Sequence, residues 1–409
     1  MGRSSISTKY AARAERGDFI PEYNLEDGLD KLSQLINIAL SRHGGVVLVK
    51  VAGGSASGKT SAVADKIKNT FGELAVIVSM DDYYFGSKYL KQEAKKGNII
   101  NWDQPEALNI ELLGEHLNLL RKGESINKPI YGFNIDPMSK FETVKPHKII
   151  ILEGLFALND KLIDDKDIKA FVDVSVHGRV LRRILRDVNR TGQGPHEILK
   201  YFSDVVEPMH QKYVQSTRKN ADIIIKNEYD PNIEFVEVGA NDVQLKFKLK
   251  SNSNVLGGLA VKSLGSVIQQ DYYCKPKDNK PARVDEIVRV REENGHVWMT
   301  YKGPIIKSKY QKRLKLEFEI DRETADSFLV IYDNQKGKLI KKTRLFYNLD
   351  GVPFVIDSVI KVENGIESNL GFFVEIKLNN NYSKQKVGAL LNKLGLKDIS
   401  PIKQSYSEM

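Results

Sequence analysis

Residues 46–60 read Val46-Val47-Leu48-Val49-Lys50-Val51-Ala52-Gly53-Gly54-Ser55-Ala56-Ser57-Gly58-Lys59-Thr60. A β-branched run breaks at a glycine pair, and past another glycine the chain resumes with lysine and threonine. The run has the make-up of a buried parallel strand, and residues 60–71 carry helical periodicity. Gly53 to Thr60 fit G-x-x-x-x-G-K-[ST]. Glycines let backbone N–H groups curl round a phosphate, Lys59 carries charge towards the terminal phosphates, and Thr60 offers a hydroxyl to Mg²⁺. The helix that follows turns its positive end to the same anion. Gly53, Gly54, Ser55, Ala56, Ser57, Gly58, Lys59 and Thr60 are therefore the expected phosphate-binding residues.

Outward from this stretch, short β-branched runs recur at 75–79, 148–152, 171–176 and 221–225, with helix-like segments between them, such as 178–190. Such alternation predicts a parallel sheet with helices on both faces. Residues 20–43 read as an amphipathic lead-in helix ended by Gly44-Gly45. Open α/β sheets bind ligands at the carboxyl ends of their strands. Two carboxylates fall there: Asp81, beside Asp82, after the run 75–79, and Glu153 after 148–152. Each read alone fits a helix cap or turn acid; beside a phosphate loop each fits metal binding or proton acceptance. Arg179, Arg182, Arg183, Arg186 and Arg190 recur at helical spacing. They read either as a solvated basic face partnered by Asp187 or as a lid whose guanidiniums clamp a transferring phosphoryl group and exclude water.

Near residues 227–241 the pattern changes. Tyr229-Asp230-Pro231-Asn232 is turn chemistry and a linker. Beyond it charge alternates with apolar residues at period two, as in Lys246-Phe247-Lys248-Leu249 and Arg313-Leu314-Lys315-Leu316-Glu317-Phe318-Glu319-Ile320. Asn294-Gly295 and Asp350-Gly351 are hairpin signals, so an antiparallel sheet or barrel is expected. A single half-buried strand of this kind ordinarily shows its charges to water. Here several strands repeat one arrangement: Lys246, Lys248, Arg289, Arg291, Lys302, Arg313, Lys315, Lys342 and Arg344 form a basic set, and Glu317, Glu319, Asp357 and Glu375 an acidic one. Closed with that face inward, the sheet would be a charged tunnel. Its basic set would take a linear triphosphate, and its acids Mg²⁺ or, alternatively, Mn²⁺. The expected layout is a lead-in at 1–43, a nucleotide-binding unit at 44–230, a barrel at 235–380, and its helix and tail at 381–409.

Composition narrows the remaining classes. The 409 residues are 41% hydrophobic and 28% charged, with net charge +9 and pI about 9.1, which is globular and favours anionic partners. Cys274 is the one cysteine, so no intrachain disulfide or cysteine metal cluster forms, and a reducing, cytoplasmic setting fits. No apolar run reaches the roughly 18 residues of a membrane span. MGRSSISTKY lacks a secretory core, and Ile6 occupies the slot where myristoylation wants Ser or Thr.

The stretches GGSASGKT, VSMDDYYF, NWDQPEALN, KPIYGFN, IILEGLFAL and VLRRILRD resemble, in order, the uridine kinase and phosphoribulokinase group of P-loop kinases over residues 40–230. The resemblance implies ATP·Mg²⁺ as donor and a hydroxyl of a nucleoside or sugar phosphate as acceptor. It makes Asp81 the general base, assigns Thr60 and Glu153 to the metal, and lines the acceptor site with Asp103, Tyr131 and Phe133. Lys59, Arg183 and Arg186 then serve the transferred group. The chain departs from the uridine kinase pattern at Gln104, Gly132 and Asp136, the positions tied to nucleoside reading. The pieces QQDYYCKP, IVRVREENGHVWMTYKGP, RLKLEFEI, KKTRLFYNLDGVPFVIDSV, LGFFVEIK and SYSEM likewise resemble the CYTH, or triphosphate tunnel metalloenzyme, superfamily over about 235–409. That implies binding or hydrolysis of tripolyphosphate, pyrophosphate or a nucleoside triphosphate. The defining Glu-x-Glu-x-Lys has Asp242-x-Gln244-x-Lys246 as counterpart, and Lys377 stands at a ligand-like position after Glu375. Two functions stay open: a kinase joined to a polyphosphate-handling tunnel, and a sensor that grips phosphates without turnover. Nucleic acid is disfavoured as a partner, since no recognition helix or aromatic strand platform is present. The small-molecule acceptor and inorganic polyphosphate are the expected partners, with homo-oligomerisation open.

Overall fold

The computed structural model describes residues 20–43, 45–95, 101–131, 139–228, 241–250, 256, 259, 261–274, 286–303, 311–332, 339–377 and 384–409. Two compact units divide near residue 230.

The first unit is a six-stranded parallel sheet in the order β1-β8-β7-β2-β6-β3. Its strands are β1 (Glu22–Asn24), β2 (Val47–Gly53), β3 (Ala75–Ser79), β6 (Ile149–Gly154), β7 (Ile168–Asp173) and β8 (Ile223–Lys226), and a separate hairpin joins β4 (Ile126–Pro129) to β5 (Phe141–Val144). Alternate residues of the sheet enter two different cores, as the two-residue period requires. Val49, Val51 and Ile151 pack with Leu32 and Ile36 of α1 (Leu25–His43) and Ile67 of α2 (Asp65–Phe71). Leu48, Ile150 and Leu152 pack on the other face with Leu113, Leu117 and Leu120 of α3 (Ile110–Arg121). The lead-in segment differs from the sequence reading: its helix starts at Leu25, and Glu22–Asn24 pair in parallel with Ile224–Lys226. The arginine-rich helix α4 spans Val176–Thr191, starting three residues after the strand expected through 176 has ended at Asp173.

The second unit is a closed antiparallel barrel, β10-β11-β12-β13-β9-β16-β15-β14. Its strands are β9 (Asn241–Leu249), β10 (Lys262–Cys274), β11 (Ile287–Glu293), β12 (His296–Lys302), β13 (Gln311–Ile320), β14 (Leu339–Leu349), β15 (Val352–Glu363) and β16 (Ile366–Lys377). The turns Asn294-Gly295 and Asp350-Gly351 have positive φ at both residues, the geometry that matches hairpin twist, and Asn364-Gly365 adds a third. The apolar residues of β9, Leu245, Phe247 and Leu249, point away from the lumen. They pack with Phe354, Ile356, Val374 and Ile376 against Val387 and Leu390 of α5 (Lys384–Lys393). The opposite, charged face turns inward. A helix on the outside of the barrel thus reverses the usual orientation of an alternating strand.

Candidate functional site

In the first unit the loop after β2 is shaped by close approaches. Gly58 sits at φ +83°, and a Cβ there would lie 2.3 Å from Asn227 Nδ2, which donates to the Ser57 carbonyl at 2.7 Å. A Cβ on Gly54 would lie 2.8 Å from Arg179 Cδ and 2.9 Å from the His210 ring. Only glycine fits either place. Lys59–Ala64 open the following helix as a wide π turn that runs into α2. At its first turn Thr60 Oγ1 donates to Glu153 Oε2 at 2.9 Å, and Ser79 Oγ donates to Glu153 Oε1 at 2.6 Å. Glu153, at the end of β6, is buried. The Asp81 backbone N–H donates to Ser79 Oγ at 3.3 Å. Loss of hydration raises the Asp81 carboxyl above its ordinary range; Lys59 pulls against this, while Glu153, Asp82 and Asp103 add like charge. The loop therefore faces a hydroxyl and carboxylates, all hard oxygen donors.

Asp103 is buried; desolvation raises its carboxyl, and Arg183, Lys59, Arg186 and Arg179 pull against that rise. Tyr131 packs with Tyr84 and with Trp102, the neighbour of Asp103 in the chain, the ring centroids 5.5–6.2 Å apart. The Tyr131 N–H donates to Asp82 Oδ1 at 3.1 Å, and Asp82 is paired with Lys128. Phe133, Gly132 and Asp136 lie outside the described residues.

The arginine row divides by function of position. Arg179 is buried beneath the loop, paired with Glu207 at 2.5 Å, and Arg182 donates to the Asn227 carbonyl at 2.9 Å. Neither is a solvated face. Arg183 Nη1 donates to Ser55 Oγ at 2.9 Å, and both Arg183 and Arg186 hold Asp187, at 3.1 and 2.7 Å. The Arg190 side chain lies outside the described residues. Sequence reading missed Ser79, Asn227 and His210; each reaches the loop only through tertiary contact.

In the barrel a cavity of about 770 Å³, counting the part open to solvent, is lined among the described residues by nine lysines and arginines and two carboxylates. Lys246, Arg289, Arg291, Lys302, Lys315, Lys342, Arg344, Glu317 and Glu375 of the expected set all line it. Lys248 and Glu319 do not: both are exposed farther along their strands, Lys248 with its Nζ 5.9 Å from the Phe373 ring and Glu319 bonded to His296. The Arg313 and Asp242 side chains lie outside the described residues. Asp271, not singled out by sequence, is fully buried. It accepts from Arg289 Nη1 at 2.9 Å, Arg291 Nε at 2.6 Å and Lys342 Nζ at 2.9 Å. Burial opposes its charge, but these cations hold it well below the carboxylate range. Asp357 and Glu375 both grip Arg344, at 2.6 and 2.5 Å, and Tyr406 donates to Asp357 at 3.0 Å. Glu317, drawn down to about 2 chiefly by Lys315 and Arg289 against its burial, also accepts from Thr300 at 3.0 Å. The C-terminal residues Lys403, Gln404, Ser405 and Tyr406 complete the wall, and Lys246 donates to the Gln404 carbonyl. Among the described residues no group of three or more His, Cys, Asp or Glu is placed to hold a metal ion, and none of the helices is long and apolar enough to cross a membrane.

Burial lowers the Lys342 amine to about 7; Asp271 and Asp357 support its charge, and Arg291 and Arg344 oppose it. Its proton is therefore lost at a lower pH than that of a free lysine. Tripolyphosphate affinity relative to a Lys342→Arg variant should therefore fall as pH rises from 6 to 8.5, which titration calorimetry would measure; a constant ratio would remove Lys342 from the binding set.

A strand, a glycine loop and a helix, with Thr60 and Glu153 bonded below, define the first unit as a P-loop kinase fold, and the closed barrel defines the second as a tunnel fold. Residues 48–234 match the phosphoribulokinase/uridine kinase family and residues 241–406 the CYTH domain. The uridine kinase of Chlamydia pneumoniae is 35% identical over 46% of this chain and 85% of its own, and that of Clostridium novyi 40% identical over 44% and 86%. A conserved hypothetical protein of known structure from Pyrococcus furiosus is 26% identical over 41% of this chain and 98% of its own, at TM-score 0.32. The chain belongs to the phosphoribulokinase/uridine kinase family and carries a CYTH domain behind its kinase domain.

Proposed function

We propose that the first unit transfers the γ-phosphoryl group of ATP to a hydroxyl of a small molecule, nucleoside-like or sugar phosphate, and that the barrel binds tripolyphosphate- or pyrophosphate-class anions. The observation that carries the first half is Thr60 and Glu153 bonded at 2.9 Å directly under the phosphate loop, with Asp81 and Lys59 beside them. The donor set fits Mg²⁺, which nucleotide sites hold through one or two protein oxygens plus phosphate. Bound there, Mg²⁺ would neutralise charge on the β- and γ-phosphates. Asp81 accepts the acceptor's hydroxyl proton. The freed oxygen bonds to the γ-phosphorus, the bond to the bridging oxygen breaks, and ADP leaves. Lys59, Arg183 and Arg186 stabilise charge on the moving group. Asp103, Tyr131 and the neighbouring rings orient the acceptor. The curated relatives named uridine kinase support a nucleoside acceptor. A cytoplasmic setting is consistent with this chemistry.

The experiment is ADP formation with uridine, cytidine and sugar phosphates in turn. Acceptor-dependent ADP with at least one of them is expected, and Lys59→Ala should lower it about 10²–10³-fold. No acceptor-dependent ADP from any would refute the kinase reading. The barrel reading rests on the cationic excess of its described lining and concerns binding alone.

A further inference from the structure

The described residues of the barrel do not fit a divalent cation. The two described acids that line the cavity are already engaged by protein cations, Glu317 by Lys315 and Arg289 and Glu375 by Arg344, and the fully buried Asp271 and Asp357 are held by Arg289, Arg291 and Lys342 and by Arg344. At the strand where an acidic ligand is expected, Gln244 presents an amide, and Lys302 Nζ donates to its Oε1 at 3.3 Å. Directly across the β9–β16 ladder Gln244 faces Lys377, as Lys246 faces Glu375. Gln244, Lys302 and Lys377 all line the cavity. A divalent ion entering here would meet ammonium groups rather than carboxylates, and a linear phosphate would meet charge-assisted donors.

We infer that the barrel binds its linear phosphate as a metal-free anion, with Lys377 and Lys302 occupying the electrostatic role of a bound cation. This deepens the anion-site reading above and rests on it. Metal-free and metal-dependent binding respond to Mg²⁺ with opposite signs. Mg²⁺ complexes free tripolyphosphate and lowers its charge, so adding it should weaken binding by competing for the ligand.

The test is calorimetric titration of the full chain with sodium tripolyphosphate in EDTA and again in millimolar Mg²⁺, with non-hydrolysable ATP analogue saturating the kinase loop. Tighter binding in EDTA is expected. In the Gln244→Glu/Lys377→Glu variant, EDTA binding should drop tenfold or more and Mg²⁺ should restore it. Wild-type binding that needs Mg²⁺, or tightens tenfold with it, overturns the inference and leaves the anion site standing. Absence of binding in both buffers removes the anion site and the inference together. The wild-type comparison decides the matter if the variant fails to fold.

Discussion

Replacing Asp81 by asparagine is expected to lower acceptor phosphorylation by about 10²–10⁴-fold, the range for loss of a positioned general base, while ATP binding stays near wild type. Asparagine keeps the shape and the turn in which the Asp81 N–H meets Ser79 Oγ. It removes only the ability to take a proton. Asp81 has its carboxyl raised first by desolvation, then by Glu153, Asp82 and Asp103. The acid limb of kcat/KM should therefore lie above the roughly 3.9 of a free aspartate, and it should vanish in the variant. A pH–rate profile read beside nucleotide binding measures both. A variant with full turnover, or one that loses ATP binding equally, would assign Asp81 another role.

The second large effect belongs to Asp271→Asn. The change leaves Arg289, Arg291 and Lys342 facing one another around a neutral amide at a fully buried position in the cavity wall. Removing one partner of a buried ionic cluster typically costs about 3–5 kcal/mol, so the barrel should melt well below the wild type. The same three cations then become available to an outside anion. Tripolyphosphate should recover a larger share of the melting temperature in the variant than it adds to the wild type, because ligand that binds only the folded state stabilises in proportion to its affinity. Thermal denaturation with and without the anion reads both quantities. An unchanged melting temperature would mean that Asp271 does not neutralise the lumen.

What could be read from the sequence follows from the range of the forces. The phosphate loop is local: its glycines, Lys59 and Thr60 are neighbours in the chain, and strands on either face of the parallel sheet announce themselves by β-branched runs. Glu22–Asn24 were unreadable as a strand because three mostly polar residues carry no periodic signal, and their pairing with β8 comes from across the unit. The arginines of α4 looked like one set at helical spacing. The fold separates them by what lies opposite: Glu207 for Arg179, the Asn227 carbonyl for Arg182, and Ser55 for Arg183. The barrel's inward charges were legible from repetition, since no single strand decides which face is in. Asp271 escaped notice because it sits among Tyr272, Tyr273 and Cys274, and only the ladder that places it opposite Arg291 gives it a partner. Likewise the acids expected to carry metal were found by type alone, and type does not reveal that Arg344 lies between two of them.

The strand order of the barrel bears on how the molecule is made. β9 leaves the first unit earliest, yet its ladder partners are β13 and β16, and Lys246 further meets the Gln404 carbonyl. Its backbone groups can find their permanent partners only once residues as late as 402, whose N–H donates to the Lys246 carbonyl, have left the ribosome. Contacts of such separation form slowly, and domains tend to fold in order of synthesis. The nucleotide-binding unit can thus be complete while β9 still trails as an unpaired strand, which makes that interval the moment when the nascent chain is most open to capture by chaperones or by another copy of itself.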